Sequence, residues 1–503
     1  MTRQSRYEFV WAVSGAVVYH LIRDLNQSGF PQATTLSVDK GTRSRLLLGF
    51  LAQSFSKFCY TIIQLIQVPF LLHFWSESTY GEWLALSALP SYLMFSNLGF
   101  GSVAMHEMTM SIARDEEEAA LRVFQSCWWL IVICLTVTVI VVALILNVLP
   151  IASLLNIHAI SEHDARFIIF CLGLAVLLGQ LEALLQAAYR SIGRNAFGMV
   201  LGAVFTTLGF TAILVPVSLG YGPRTAAMTF AATNISGTVI LGIMVRRDVH
   251  WIRFGWRYAS FSEIKRLAMP ALAFLGLPMS MALNIQGTIL VISHVLGPLA
   301  VVVFATARTV SRVTLQLVQM INITFEPEFS KTFAQKNWGL IRTLHQRACQ
   351  SALILSGITV AIMIAGGPFL LNHWTQGKVP PSRPLLSILL LVVIVYSLWQ
   401  TSSSILLATN QHKRLSAISL AANLVNIVIT WGAAKVYGLY GAAASLVIVE
   451  LIMTAYVLPN TLRMTHDTLP EFLRSMIDIP ASIHPRALLR RLSRSREPES
   501  TPL

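Results

Sequence analysis

The chain has 503 residues, of which 55% are apolar and only 12% charged, with a net charge of +14 at pH 7. A water-soluble domain carries roughly twice that charged fraction, so the composition excludes a soluble enzyme and defines an integral membrane protein. The five cysteines fall almost all in apolar segments, without CxxC spacing or a histidine cluster; packing roles are expected, with no disulfide framework or metal site.

Residues 1–45 read as an extension, expected to be cytoplasmic. Its apolar stretch FVWAVSGAVVYHLI (9–22) is short for a membrane span. Twelve apolar stretches follow, near 46–73, 80–106, 123–149, 167–188, 196–219, 224–245, 267–295, 298–325, 349–371, 384–408, 415–434 and 439–460. Each is long enough for one transmembrane helix. Connections are short, so no extramembrane catalytic domain is expected. With the N-terminus placed in the cytoplasm, 29 of the 37 Lys and Arg fall in inside segments and five in outside loops. The other three, Lys57, Arg308 and Arg312, fall within spans. This asymmetry predicts both termini inside. It also assigns the basicity to topology, so no nucleic-acid partner is expected.

The two halves resemble each other at an offset of about 218 residues: QAAYRSIGRNAF (186–197) corresponds to LLATNQHKRLSA (406–417), and GYGPRTAAM (220–228) to YGLYGAAAS (437–445). The expected fold is all-α, with about 12 transmembrane helices in two six-helix bundles related as a parallel repeat. The bundles are placed at 46–245 and 267–460. The basic, aromatic stretch 246–266 is the cytoplasmic linker between them, suited to the membrane surface, and 461–503 is a basic cytoplasmic tail.

Polar groups inside the spans are the functional signal. Span 8, PLAVVVFATARTVSRVTLQLVQMINITFE, carries Arg308 roughly 15 Å from its start, near the bilayer midplane. Arg312 lies four residues on, hence on the same face, and Leu315, Gln319, Asn322 and Glu326 continue that face. A charge at this depth costs about 2.5–3.5 kcal/mol on insertion scales. Span 1 carries Gln53, Lys57, Tyr60, Gln64 and Gln67 on one face, with Lys57 expected at a depth like that of Arg308. Span 7 carries Pro270, Gly276 and Pro278, which predict a kink, then Asn284 and Gln286. Glu182 and Glu450 are the interior acids. Glu182 either pairs with Arg312 or titrates as a coupling site, and the sequence leaves both open. Three interior cations against two acids favour an anionic ligand. The alternative is that the arginines pair with buried acids and only fix helix packing. No Walker A, GxSxG or HExxH motif is present, and no catalytic residue or cofactor is expected.

The stretch VPFLLHFWSESTYGEWLALSALPSYLMFSNLGFGSVAMHEM, with Tyr-Gly-Glu-Trp and Asn-Leu-Gly-Phe-Gly, resembles the polysaccharide-transporter branch of the MOP exporter superfamily, to which the Wzx-type flippases belong. YRSIGRNA and FSEIKRLAMPALAFLGLPMS look similar too, and the resemblance covers about 46–460. It implies two bundles around a central cationic cavity, with an undecaprenyl-(pyro)phosphate-linked oligosaccharide moved across the bacterial inner membrane for surface polysaccharide (O-antigen or exopolysaccharide) synthesis. Lys57, Arg308 and Arg312 fit the expected phosphate-binding cations by depth. Gln53, Gln64, Asn284 and Gln286 are expected to line the sugar site, and Glu182 and Glu450 are candidates for coupling to a proton or sodium ion. A polysaccharide polymerase and a chain-length regulator are the protein partners such a role implies. The lipid II flippase branch carries two further C-terminal helices that this sequence lacks, which points to a different branch. A multidrug or cation antiporter of the related MATE-type branch is the alternative. A membrane polymerase or glycosyltransferase ranks last, for want of a large outside loop or a clustered acid pair.

Overall fold

A computed structural model of the chain describes residues 40–96, 99–409 and 412–477. The stretch at 9–22 and the chain beyond 477 lie outside the described residues. Residues Leu48–Leu469 form one compact unit, and among the described residues every regular element is helical.

The first half comprises α1 (Lys40–Phe74), α2 (Glu77–Ala88), α3 (Phe100–Ala113), α4 (Glu117–Val148), the short α5 (Ile151–Leu155), α6 (Glu162–Ser191), α7 (Asn195–Ser218) and α8 (Pro223–Asp248). The second comprises α9 (Phe261–Ala282), α10 (Thr288–Leu296), α11 (Pro298–Ala334), α12 (Trp338–Trp374), α13 (Arg383–Ala408) and α14 (His412–Met464). α15 (Leu469–Ile477) falls mostly with the terminal residues. Side-chain oxygens start several helices: Ser76 Oγ accepts from Thr79 N at 3.1 Å, and Ser161 Oγ from Asp164 N at 3.1 Å. α3, α4, α6, α7 and α8 pack mainly on one another, as do α11 to α14, while α9 packs both on α14 and on α3 and α4 of the first half. On α4, Ile133, Val137, Ile140, Val141 and Leu144 are all exposed at helical spacing. An exposed apolar stripe on a helix whose opposite face is buried is a lipid-facing surface.

Among the described residues, ten helices are long and apolar enough to cross a bilayer. Two local features reconcile ten with the twelve predicted spans. α14 contains two of them: Gly438 adopts φ 59° and ψ −141°, a conformation open to glycine. Thr430 and Ser445, 15 residues apart, bring their hydroxyls within 2.7 Å. A straight helix would hold them about 22 Å apart, so α14 is two antiparallel arms. The predicted second span is interrupted, with α2 passing into a 3₁₀ segment Pro90–Phe95 before α3 begins at Phe100. Gln180 of α6, 6% exposed, serves the interruption by donating to Leu93 O at 2.8 Å and bonding Ser96 Oγ at 2.9 Å. Irregular backbone at membrane depth is tolerated where protein supplies such partners.

The kink predicted for span 7 falls later than its prolines. α9 stays helical through Pro270 and Pro278, and the irregularity is a π-helical turn, Leu283–Gly287, ahead of α10. A π turn widens the helix and releases carbonyls from the regular ladder; their new partner comes from α11.

Candidate functional site

Arg308 lies on the buried side of α11 and is 9% exposed. Its guanidinium caps the π turn: Nη2 donates to Asn284 Oδ1 at 2.6 Å and to Asn284 O at 3.1 Å, and Nη1 to Ile285 O at 3.4 Å. The Phe304 ring lies 5.7 Å from its central carbon. Asn284 continues the network, donating to Asn423 Oδ1 at 3.0 Å, while Asn423 Nδ2 donates to Ser280 Oγ at 2.8 Å and Ser280 bonds Ser419 at 2.5 Å. α9, the π turn, α11 and the first arm of α14 thus meet on one chain of neutral polar groups. Every acceptor of Arg308 is an amide oxygen, so its charge is solvated by dipoles and not neutralised by a carboxylate in direct contact.

Arg312 is half-buried and makes no hydrogen bond or ion pair with a described residue. Glu450, 5% exposed, accepts from Trp399 Nε1 at 2.6 Å and interacts electrostatically with Arg308. It is the one acid in electrostatic contact with Arg308 among the described residues. Glu182 instead accepts from Thr238 Oγ1 at 2.8 Å on α8, so its suggested pairing with Arg312 is not found. Gln286 and Gln64 are half-buried with no hydrogen bond to described residues, whereas Gln53 is exposed.

Lys57 does not share the depth of Arg308. Thr61 of α1 donates to Gln316 Oε1 of α11 at 3.1 Å, and the two helices run in opposite directions. At ~1.5 Å per residue, Lys57 lies roughly 6 Å to one side of that bond, with Arg312 and Arg308 roughly 6 and 12 Å to the other. Lys57 is exposed. Equal depth was expected by counting each residue from the nominal start of its own span, from opposite ends for the two helices; the Thr61–Gln316 bond shows that the two helices are offset relative to that count.

Three features escaped sequence reasoning. Tyr92, in the interrupted span, places its hydroxyl 3.2 Å from the point where a side chain on Gly287 would begin, so the first half reaches the π turn of the second. Asn423 and Asn426 are buried in an apolar run, Asn426 with neither amide atom bonded to a described residue; the N-x-x-N spacing was the available signal. The Tyr-Gly-Glu-Trp motif forms a seal between the halves at the predicted outer end. Gly81 packs so closely on Pro298 that a Cβ would stand 2.2 Å from the Pro298 carbonyl oxygen. Glu82, fully buried, accepts from the backbone N–H groups of His158, Ala159 and Ile160 at 2.8, 2.7 and 2.7 Å. Ser293 Oγ and His294 Nδ1 of α10 bond the Leu155 and Leu154 carbonyls at 2.8 Å each. The Trp374 indole bonds Leu65 O at 2.7 Å, and the Lys378 ammonium bonds Leu72 O.

This arrangement defines an all-α, multi-pass membrane protein whose halves are sealed at one end and joined internally by a cation-bearing helix. The MatE family profile matches residues 278–431, the part of the chain that holds the π turn, both arginines and Asn423. No curated protein matches the sequence. Among solved structures, the lipid II flippase MurJ in an inward closed conformation is similar with a TM-score of 0.62 and 14% identity, covering 90% of this chain and 94% of that one. An inward-facing multidrug resistance MATE family transporter of the MOP superfamily is similar with a TM-score of 0.58 and 17% identity, covering 81% and 98%. The chain therefore has the fold of these solved transporters, the all-α multi-helix architecture that the sequence predicted.

Proposed function

We propose that the chain is a flippase that moves an undecaprenyl-(pyro)phosphate-linked oligosaccharide across the bacterial inner membrane for surface polysaccharide synthesis. The observation that carries this reading is the state of charge on α11. Arg308 is buried and solvated by amide oxygens; among the described residues, Arg312 beside it has no hydrogen-bond or ion-pair partner, and Glu450 is the one acid in electrostatic contact with Arg308. Two cations against one acid leave a positive excess that an anionic head group neutralises. In this reading Arg312 engages the phosphate directly, and Arg308 holds the π turn in place while adding its field. Gln286 and the Tyr92 hydroxyl face the sugar, and Lys57, nearer the predicted cytoplasmic end, meets the charged group as it enters. The lipid tail stays in the bilayer, and the halves alternate by parting at the outer seal.

The MatE profile and the MATE structures favour a second reading, a multidrug or cation antiporter using Glu182 and Glu450. The deciding experiment replaces Arg312 with Ala and measures glycan export in cells alongside drug resistance. The flippase reading expects loss of export with normal insertion and unchanged resistance. Wild-type export by this variant, or a loss of resistance instead, overturns it.

A further inference from the structure

The segment between the halves is not a slack connector. Gln125 of α4 bridges it at two points, donating to Arg253 O at 2.8 Å and accepting from Tyr258 N at 2.8 Å. Ser126 Oγ accepts from Ser260 N at 2.9 Å, and the Trp129 indole donates to Gly255 O at 3.0 Å. Beneath these bonds Phe124, Trp128, Trp251 and Phe254 pack ring against ring at 5.0–6.2 Å. Four hydrogen bonds and an aromatic cluster thus hold residues 251–260 against α4.

What this fixed segment presents is a mixture of cations and exposed rings. Trp256 and Phe261 are 77% and 80% exposed. Arg246, Arg247, Arg253, Arg257 and Lys265 are exposed, and none has a carboxylate partner among the described residues. The nearby acids are engaged elsewhere: Asp248 with Tyr189 and Arg194, Glu117 with His250, and Glu263 and Glu107 with Arg266. The segment joins the end of α8 to the start of α9, hence at the level where spans leave the bilayer. A rigid surface of indole, phenyl and guanidinium groups at that level matches the apolar-to-charged gradient of a phospholipid leaflet.

We propose that residues 246–266 form a preformed binding platform for anionic phospholipid head groups, with Arg253 and Arg257 engaging the phosphate and Trp256 inserted among the acyl chain tops. Because the platform is bonded to α4, bound lipid anchors the first half. This inference is independent of what the protein transports.

The test uses the full-length protein in detergent, with native mass spectrometry counting bound phosphatidylglycerol and phosphatidylcholine of the same chain length. Wild type is expected to retain phosphatidylglycerol preferentially. Replacing Arg253 and Arg257 with Gln should weaken phosphatidylglycerol binding about five-fold per arginine, while the Arg253→Lys, Arg257→Lys pair retains most of it. W256A should weaken both lipids. Q125A, which keeps every charge but frees the segment, should also lower phosphatidylglycerol retention. R114Q, an exposed cation outside the segment, should leave it unchanged. Equal binding of the two lipids by wild type, wild-type retention in the double Gln variant, or an equal loss in R114Q would overturn the proposal. Full retention in Q125A would overturn its preformed character.

Discussion

Removing the Arg308 guanidinium tests the central geometry directly. Arg308→Ala deletes three hydrogen bonds from a charged donor and leaves Asn284 Oδ1 and the Ile285 carbonyl facing a void. Each such bond contributes about 1.5–3 kcal/mol, and each buried acceptor left unmade costs about 1–3 kcal/mol. Against this, the variant no longer buries a cation, which recovers several kcal/mol. The net expectation is a loss of about 1–3 kcal/mol, the cost of buried neutral acceptors left unmade. Pairing it with Asn284→Ala separates the contact from general damage. The two residues touch, so a double-mutant cycle should give a coupling of about 1.5–3 kcal/mol. Denaturant titration in detergent micelles, followed by circular dichroism, reads both quantities. A cost below about 1 kcal/mol, or additive single effects, would mean that Arg308 does not cap the π turn and that the network is drawn wrongly.

Arg312→Ala should behave in the opposite way: with no hydrogen bond or ion pair to a described residue to lose, its stability should stay within about 0.5 kcal/mol of wild type while export falls at least about ten-fold, a barrier change near 1.4 kcal/mol, as measured in cells. Gly81→Ala forces a methyl group into the Pro298 carbonyl and should cost about 1–3 kcal/mol as overpacking; it should also speed maleimide labelling of a cysteine placed at buried Ser293, in a background where Cys59 and Cys134 are serine. Glu82→Gln turns an acceptor-only group into one that must aim an NH₂ at a backbone N–H. It should lower the unfolding free energy by about 2–3 kcal/mol, whereas a change within 0.5 kcal/mol would show that the 158–160 backbone has other partners.

The fold was legible because it rests on length and hydropathy. Twelve apolar stretches, short connections and the bias of Lys and Arg are properties of the chain read locally, and the structure has helices at each stretch. What local reading missed depends on three-dimensional partners. Pro270 and Pro278 signalled a disturbed helix, yet its position at 283–287 goes with the Arg308 fork held against the Asn284 and Ile285 carbonyls, a contact across 24 residues. The depth of Lys57 was misread because depth was counted from the nominal start of the apolar run, whereas the Thr61–Gln316 bond shows how α1 stands beside α11. Glu182 and Glu450 could not be ranked, because nothing in the sequence says that one faces Thr238 and the other the arginines. Tyr-Gly-Glu-Trp was visible as a motif, but its use as a seal depends on the Pro298 carbonyl and the 158–160 backbone, which only the fold brings to it.

The repeat makes the placement of charge informative. At the offset of about 218 residues, the 3₁₀ segment 90–95 of the first half corresponds to 308–313 of the second, which holds Arg308 and Arg312. The two halves treat the same position differently. In the first, the backbone itself breaks and a neutral amide, Gln180, satisfies it. In the second, the helix runs unbroken and carries two cations, one of which satisfies a break in the neighbouring α9–α10 pair. A symmetrical ligand would favour matched halves; a ligand with a charged end and a neutral hydroxylated end favours this division, with guanidinium groups on one side and the Tyr92 hydroxyl on the other. Drug-like cations do not supply that polarity, since their charge would fall beside Arg312. The division of labour between two copies of one helical plan is therefore an argument for an anionic head group joined to a neutral polar body, and it stands apart from the count of buried charges.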